Sequence, residues 1–311
     1  MNEHSDGITL TGLDGSNPLA FLAAIGVLRV LTETTLPTEN LMLSWRNDGS
    51  AWRPVVWPEN FLSNEDIVSR LNERLETMAD HPVLTFSKNL RLPPAEHRQL
   101  AGRASAEWLS GEDGISHQFF SAFGCDGIHD ENGLVADTAL RTMGGGGHQD
   151  FVKFMNDLAK TTSAEQVCEA LFGPWKYADP TPSLRFDPMD DRRYALRWKN
   201  PSQDAIQTVR GANRLAIEGI PLLYTAPVRS KLETCGFTGH RSNNTFWSWP
   251  IWETPINLDV CRSLLAQRDL IALGIEGSSS NLGPRGVSAV FRAQRITVGK
   301  FRNFTPAQQI A

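Results

Sequence analysis

Cysteine is scarce in this sequence and tyrosine scarcer still: 311 residues hold four Cys and three Tyr. Cys125, Cys168, Cys235 and Cys261 are far apart and form no CxxC pair. The N-terminal "MNEHSDG" is acidic and polar, not a secretory signal, so the four thiols read as reduced. Long apolar runs are also missing. The longest, "PLAFLAAIGVL" from Pro18 to Leu28, is too short and too interrupted by glycine to cross a bilayer. The expectation is a soluble, cytoplasmic protein without membrane association.

Catalytic signatures are missing as well. There is no G-x-S-x-G, and no cysteine sits in a recognisable nucleophile context. The four glycines of "RTMGGGGHQDFVKFMNDLAK" lack the Gly-Lys-Ser/Thr of a P-loop, and no good strand precedes them as a dinucleotide site requires. His129-Asp130 resembles the adjacent pair of metal phosphohydrolases, but it lies in the turn-like "CDGIHDENG". The other histidines show neither i,i+4 spacing nor clustered ligands. No catalytic residue, metal site or cofactor is expected. A metal-dependent phosphodiester hydrolase using His129 and Asp130 is the rival enzymatic reading.

What is present is enough apolar material for a core: 41% of residues are hydrophobic and 21% charged, outside the disordered range. The net charge of -5 conceals an asymmetry. Residues 1–184 carry 13 Lys+Arg against 25 Asp+Glu, a net of -12, and residues 185–311 carry 17 against 10, a net of +7. After Glu276 there is no acid at all, while Arg285, Arg292, Arg295, Lys300 and Arg302 are basic. Arginine dominates this half, and its guanidinium forks onto phosphate. A polyanion-binding half and a charge-balanced surface with its acids elsewhere both fit these counts.

"ITLTGL" (Ile8 to Leu13) alternates as a strand, and Asn17-Pro18 begins a helix to about Thr32 that is apolar nearly all round and hence buried. "LMLSW" and "WRPVVW" form a hairpin around "RNDGSA". Ser63 opens a capped helix, and further helices are expected near 95–109, 148–160, 163–172, 212–219 and 258–272. The pattern is mixed α+β with antiparallel strands and no βαβ alternation. It divides into a helix-rich acidic lobe, 1–184, with the Gly-rich loop, and a basic Arg/aromatic lobe of strands and loops, 185–311, or forms one continuous domain.

Two stretches bear on binding. Gly144, Gly145, Gly146 and Gly147 leave backbone N–H groups uncovered before a helix start, and His148 and Gln149 add side-chain donors. That is a phosphate cradle, or a hinge ahead of a capped helix. "SLRFDPMDDRRYALRW" mixes Arg185, Arg192, Arg193 and Arg197 with aromatic residues, which suits backbone contact and base stacking. An internal Arg–Asp lattice is the alternative. "TFWSWPIW" places Trp247, Trp249 and Ile251 on one face, more often core than base platform.

"GLDGSNPLAFLAAIGVLRVL", "GGGGHQDFVKFMNDL", "LRFDPMDDRRYALRW", "GANRLAIEGIPL" and "TFWSWPIW", in that order, resemble subunits of type I CRISPR effector (Cascade) complexes, namely the large-subunit-like family of type I-U, now type I-G, systems. Large members of that family are longer, and some carry a C-terminal helical bundle; this chain instead has the basic, strand-like "VFRAQRITVGKFRNF" there. The resemblance implies a non-catalytic subunit of an antiviral RNA-guided complex, contacting guide RNA, flanking target DNA and neighbouring subunits. A purely structural scaffold is the remaining alternative.

Overall fold

The structure, a computed structural model, describes residues 7–34, 40–57, 63–144, 148–180, 182–190, 207–239, 244–273, 281–298 and 301–311. In chain order the first part contains β1 (Ile8–Thr9), α1 (Pro18–Thr34), β2 (Met42–Asn47), β3 (Trp52–Trp57), α2 (Asn64–Thr77), α3 (Pro82–Thr85), α4 (Pro94–Ser110), α5 (Ile115–Phe123), α6 (Phe151–Thr161), α7 (Ala164–Phe172) and β4 (Asp179–Pro180). Then follow β5 (Gln207–Thr208), α8 (Arg210–Gly219), β6 (Thr225–Val228), β7 (Lys231–Thr234), β8 (Phe237–Thr238), β9 (Thr245–Ile251), α9 (Leu258–Leu265), α10 (Asp269–Ala272), β10 (Ala289–Val298), β11 (Phe301–Phe304) and β12 (Gln308–Gln309). Among the described residues the strands pair antiparallel in four sheets: β1-β3-β2, β11-β10-β9-β8 with β12 also on β10, β4-β5, and β6-β7. The fold is α+β, as the sequence predicts.

α1 is the axis. Asn17 caps it, its Oδ1 accepting from the backbone N–H of Leu19 at 2.8 Å, and every residue from Pro18 to Leu31 is buried. A helix apolar on all sides must be covered on all sides. α8 lies against it in backbone contact at two glycines: a Cβ on Gly26 would sit 2.2 Å from Leu215 O, and one on Gly219 2.2 Å from Leu22 O. On another side Phe21 meets Trp45, Trp249 and Trp247, with ring centroids 5.7, 5.8 and 6.0 Å apart. Trp247, Trp249 and Ile251 are fully buried, so the alternation in β9 is core patterning. One hydrophobic cluster takes residues from α1, α5, α7, α8, β9 and β10. The acidic and basic parts of the chain therefore share a core.

A buried ion triad pins the α1–α8 crossing. Glu218 accepts from Arg29 Nη1 at 2.9 Å and from Arg214 Nη1 at 2.8 Å, and Arg214 also donates to Leu75 O on α2 at 3.0 Å. Burial pushes the Glu218 carboxyl up, but the guanidiniums of Arg214 and Arg29 outweigh it and leave its pKa below the ordinary value.

Three local expectations change. The first strand is only Ile8–Thr9, because the Gly12 N–H turns away to Leu171 O at 2.8 Å. α5 stands in the Gly-rich stretch, where its Phe119, Phe120 and Phe123 are buried. The helix expected over 258–272 is broken into α9 and α10. The break lets Leu270 turn into a separate small cluster with Leu273, Leu282 and Val290.

Candidate nucleic-acid interface

Of the residues singled out from the sequence, Gly145, Gly146, Gly147, Arg192, Arg193, Arg197 and Lys300 lie outside the described residues. Gly144 is exposed, and an added Cβ there would meet nothing within 4 Å. His148 is exposed with φ +60°, and Gln149 is half-buried, its Oε1 lacking a hydrogen-bond partner among the described residues. The following helix begins at Phe151, not His148. Asp150 precedes it without a side-chain cap, and the Lys153 N–H is taken by Lys88 O at 3.1 Å. One backbone donor of the helix's first turn is thus already taken by the chain itself.

The arginines separate into pegs and surface groups. Arg185 is 1% exposed, with φ +64°, and donates to Asn303 Oδ1 at 3.2 Å. It is an interior peg, with no face turned to a phosphate. Half-buried Arg292 donates to Ser248 Oγ at 2.8 Å and Leu273 O at 2.9 Å, tying α10 to the large sheet. Arg285 pairs with Asp269 at 2.9 Å. These three serve the fold.

Arg295 and Arg302 come together with Arg141, which sequence reasoning passed over. Arg302 reaches Asp137 at 2.6 Å and Arg141 O at 2.9 Å, while Arg141 Nη2 donates to the same carboxylate at 2.8 Å. Arg295, 6% exposed, donates to Ala139 O at 2.7 Å, and its Nε has no partner among the described residues. Burial above all, with the Arg302 and Arg141 charges adding, pushes Arg295 down to about 10 despite Asp137. It remains a cation at neutral pH. Three guanidiniums around one carboxylate leave positive charge in excess.

Next to this cluster stands the β6–β7 hairpin. Its two-residue link, Arg229-Ser230, has positive φ at Arg229 (+57°) alone, the pattern in which the first position is normally glycine. An arginine held there is strained, and strain of this kind concentrates at functional sites. Arg229, Lys231 and Arg268 of the adjacent helix end are all exposed. Among the described residues, their side chains make no ion pair or hydrogen bond. Tyr224, at the hairpin base, is 44% exposed and lies within reach of the Arg268 charge. Clefts of about 290 and 530 Å³ flank the hairpin, sharing Ser230, Lys231 and Glu233 in their walls. The sequence carries little signal for this feature, since "TAPV" does not alternate, contains a proline, and Arg229-Ser230 is not a hairpin-turn dipeptide.

His129 also lines the smaller cleft, its Nε2 2.7 Å from Asp126 O. Asp130 is used in a turn, bonding Arg91 at 2.5 Å and the Asn132 N–H at 2.8 Å. Among the described residues no group of three His, Cys, Asp or Glu could hold a metal ion, and no helix is long and apolar enough to cross a membrane. No protein-family model matches the chain, and no curated protein matches it either.

Proposed function

We propose that this chain is a non-catalytic, nucleic-acid-binding subunit of a type I CRISPR effector complex, its β6–β7 hairpin facing the guide RNA or target DNA and the Arg141–Arg295–Arg302 cluster, in which Arg141 and Arg295 are buried, adding positive charge behind it. The observation that carries the binding part is the trio Arg229, Lys231 and Arg268: exposed cations without a partner among the described residues, beside further uncompensated guanidinium charge. Elsewhere most arginines are spent on carboxylates or carbonyls of the chain itself. The effector-complex part rests on the resemblance of the N-terminal, Gly-rich and aromatic segments. Contact with neighbouring subunits is supported by Trp108 and Leu109 at the end of α4, 51% and 78% exposed, since large apolar side chains grouped on a surface favour a protein partner.

Salt-dependent binding tests the reading. For the Arg229→Ala/Lys231→Ala/Arg268→Ala variant, log Kd against log salt flattens by about 0.9 per lost contact on duplex DNA and about 0.7 on a single strand. A slope equal to wild type on DNA and RNA alike removes the hairpin from the interface.

A further inference from the structure

The smaller cleft beside the hairpin carries both signs of charge, which a site for phosphate alone would not. Its walls include Lys231, Arg295, Ser230 and Thr234, but also Glu233 and Asp137. Asp137 is engaged by Arg141 and Arg302. Glu233 is half-buried and, among the described residues, has no cation of its own. Toward a polyanion that lone carboxylate is repulsive, so it works against the basic groups around it. It becomes favourable only by accepting hydrogen bonds from a ligand with donors. The volume, about 290 Å³, falls near the lower end of the 300–1,000 Å³ typical of small-molecule pockets and suits one planar heterocycle.

These features meet in one ligand. A single strand crossing the hairpin tip brings phosphates to Arg229, Lys231 and Arg268, and its unpaired bases present donors and acceptors together. Adenine, cytosine and guanine carry an exocyclic amino group; uracil and thymine do not. We propose that this cleft takes one unpaired, amino-bearing nucleobase, with Glu233 accepting from the amino group and the exposed Ser230 answering the rest of the base edge. The inference rests on the nucleic-acid reading above and adds to it a preference for single strands and for base type. Arg295, anchored on Ala139 O, supplies a fixed positive wall that a carbonyl or ring nitrogen of the base can face.

The test is fluorescence anisotropy of the full chain with labelled oligo(C), oligo(A) and oligo(U) single strands, as RNA and with the DNA equivalents, at one salt concentration. If only phosphates are bound, Glu233→Ala removes a repulsive charge and tightens binding to every strand. The proposal expects the opposite for oligo(C) and oligo(A): a loss of roughly tenfold or more, the size of a hydrogen bond to a charged group. Oligo(U) is unchanged or tighter. Glu233→Gln, which keeps one acceptor oxygen, lies between Ala and wild type and carries the comparison if the Ala variant melts early. Equal or tighter binding to all three strands in both variants overturns the cleft. The Arg229→Ala/Lys231→Ala/Arg268→Ala variant separates the two failures. Where it loses affinity and the Glu233 variants do not, only the base site falls. Where wild type binds no strand, or the charge variant binds as wild type does, the nucleic-acid reading falls and the base site with it.

Discussion

Glu218→Gln is the sharpest perturbation of the fold. The wild-type carboxylate is fully buried between Arg29 and Arg214, themselves almost fully buried. Arg29 keeps Glu33 at 3.1 Å and Gln118 at 3.0 Å after the change, but Arg214 is left with neutral acceptors, the carbonyl of Leu75 and the remaining amide oxygen. One buried guanidinium is thereby left without an anion, a loss of about 3–5 kcal/mol. With an unfolding entropy of about 2.1 cal/mol/K per residue, a chain of this length loses roughly 5–8 °C of Tm. Differential scanning calorimetry reads this directly. Replacing Arg29, Arg214 and Glu218 together by methionine should recover most of the loss, because the desolvation cost of the three ions goes with them. The pH dependence has a defined sign. Glu218 is held below its ordinary 4.5, so its stabilisation is complete above that value and is lost as pH falls through the lower folded value. The gap in Tm between wild type and Glu218→Gln should therefore close on acidification below 4.5. A variant melting within 1 °C of wild type at neutral pH, or a triple methionine variant far less stable than the single one, would refute the reasoning (the 1 °C margin is about 0.7 kcal/mol on the same entropy).

Gly26→Ala should lower stability by about 1–3 kcal/mol or more, because its Cβ would lie 2.2 Å from Leu215 O; a urea midpoint at or above that of wild type contradicts backbone contact between α1 and α8. Asp187 is buried, and burial above all raises its pKa while Met189 N, Asn17 and Tyr177 hydrogen-bond it. Its charged form thus costs stability in full above the folded value, and the cost shrinks as pH falls below it and is gone beneath the ordinary carboxylate value. Asp187→Asn should accordingly raise Tm at neutral pH and lose that advantage in acid. Burial pushes the Cys235 and Cys261 thiols up to about 12, so brief alkylation of native protein followed by mass spectrometry should mark exposed Cys168 and spare those two.

Local chemistry made several elements legible in advance. Ser63 caps α2 as its spacing with Asp66 implies, the capping box at Ser163 opens α7, and Asp48-Gly49 turns the β2–β3 hairpin. The all-round apolar face of α1 and the alternation in β9 likewise announced burial, since both periods are properties of a short segment. α5 escaped because its phenylalanines are flanked by glycines that read as loop. The site was less legible. Composition showed a basic C-terminal half, yet could not say which cations are free, because their partners are distant in sequence: Arg302 finds Asp137, Arg295 finds Ala139 O, and Arg29 finds Glu218. The resemblance motifs likewise located the Gly-rich loop but not Arg229, Lys231 and Arg268. Charge is counted along the chain, whereas its neutralisation happens within a few ångströms in space. Segment periodicity therefore determined the elements and their buried faces, and the tertiary packing alone decided which arginines became pegs and which cations were left facing outward.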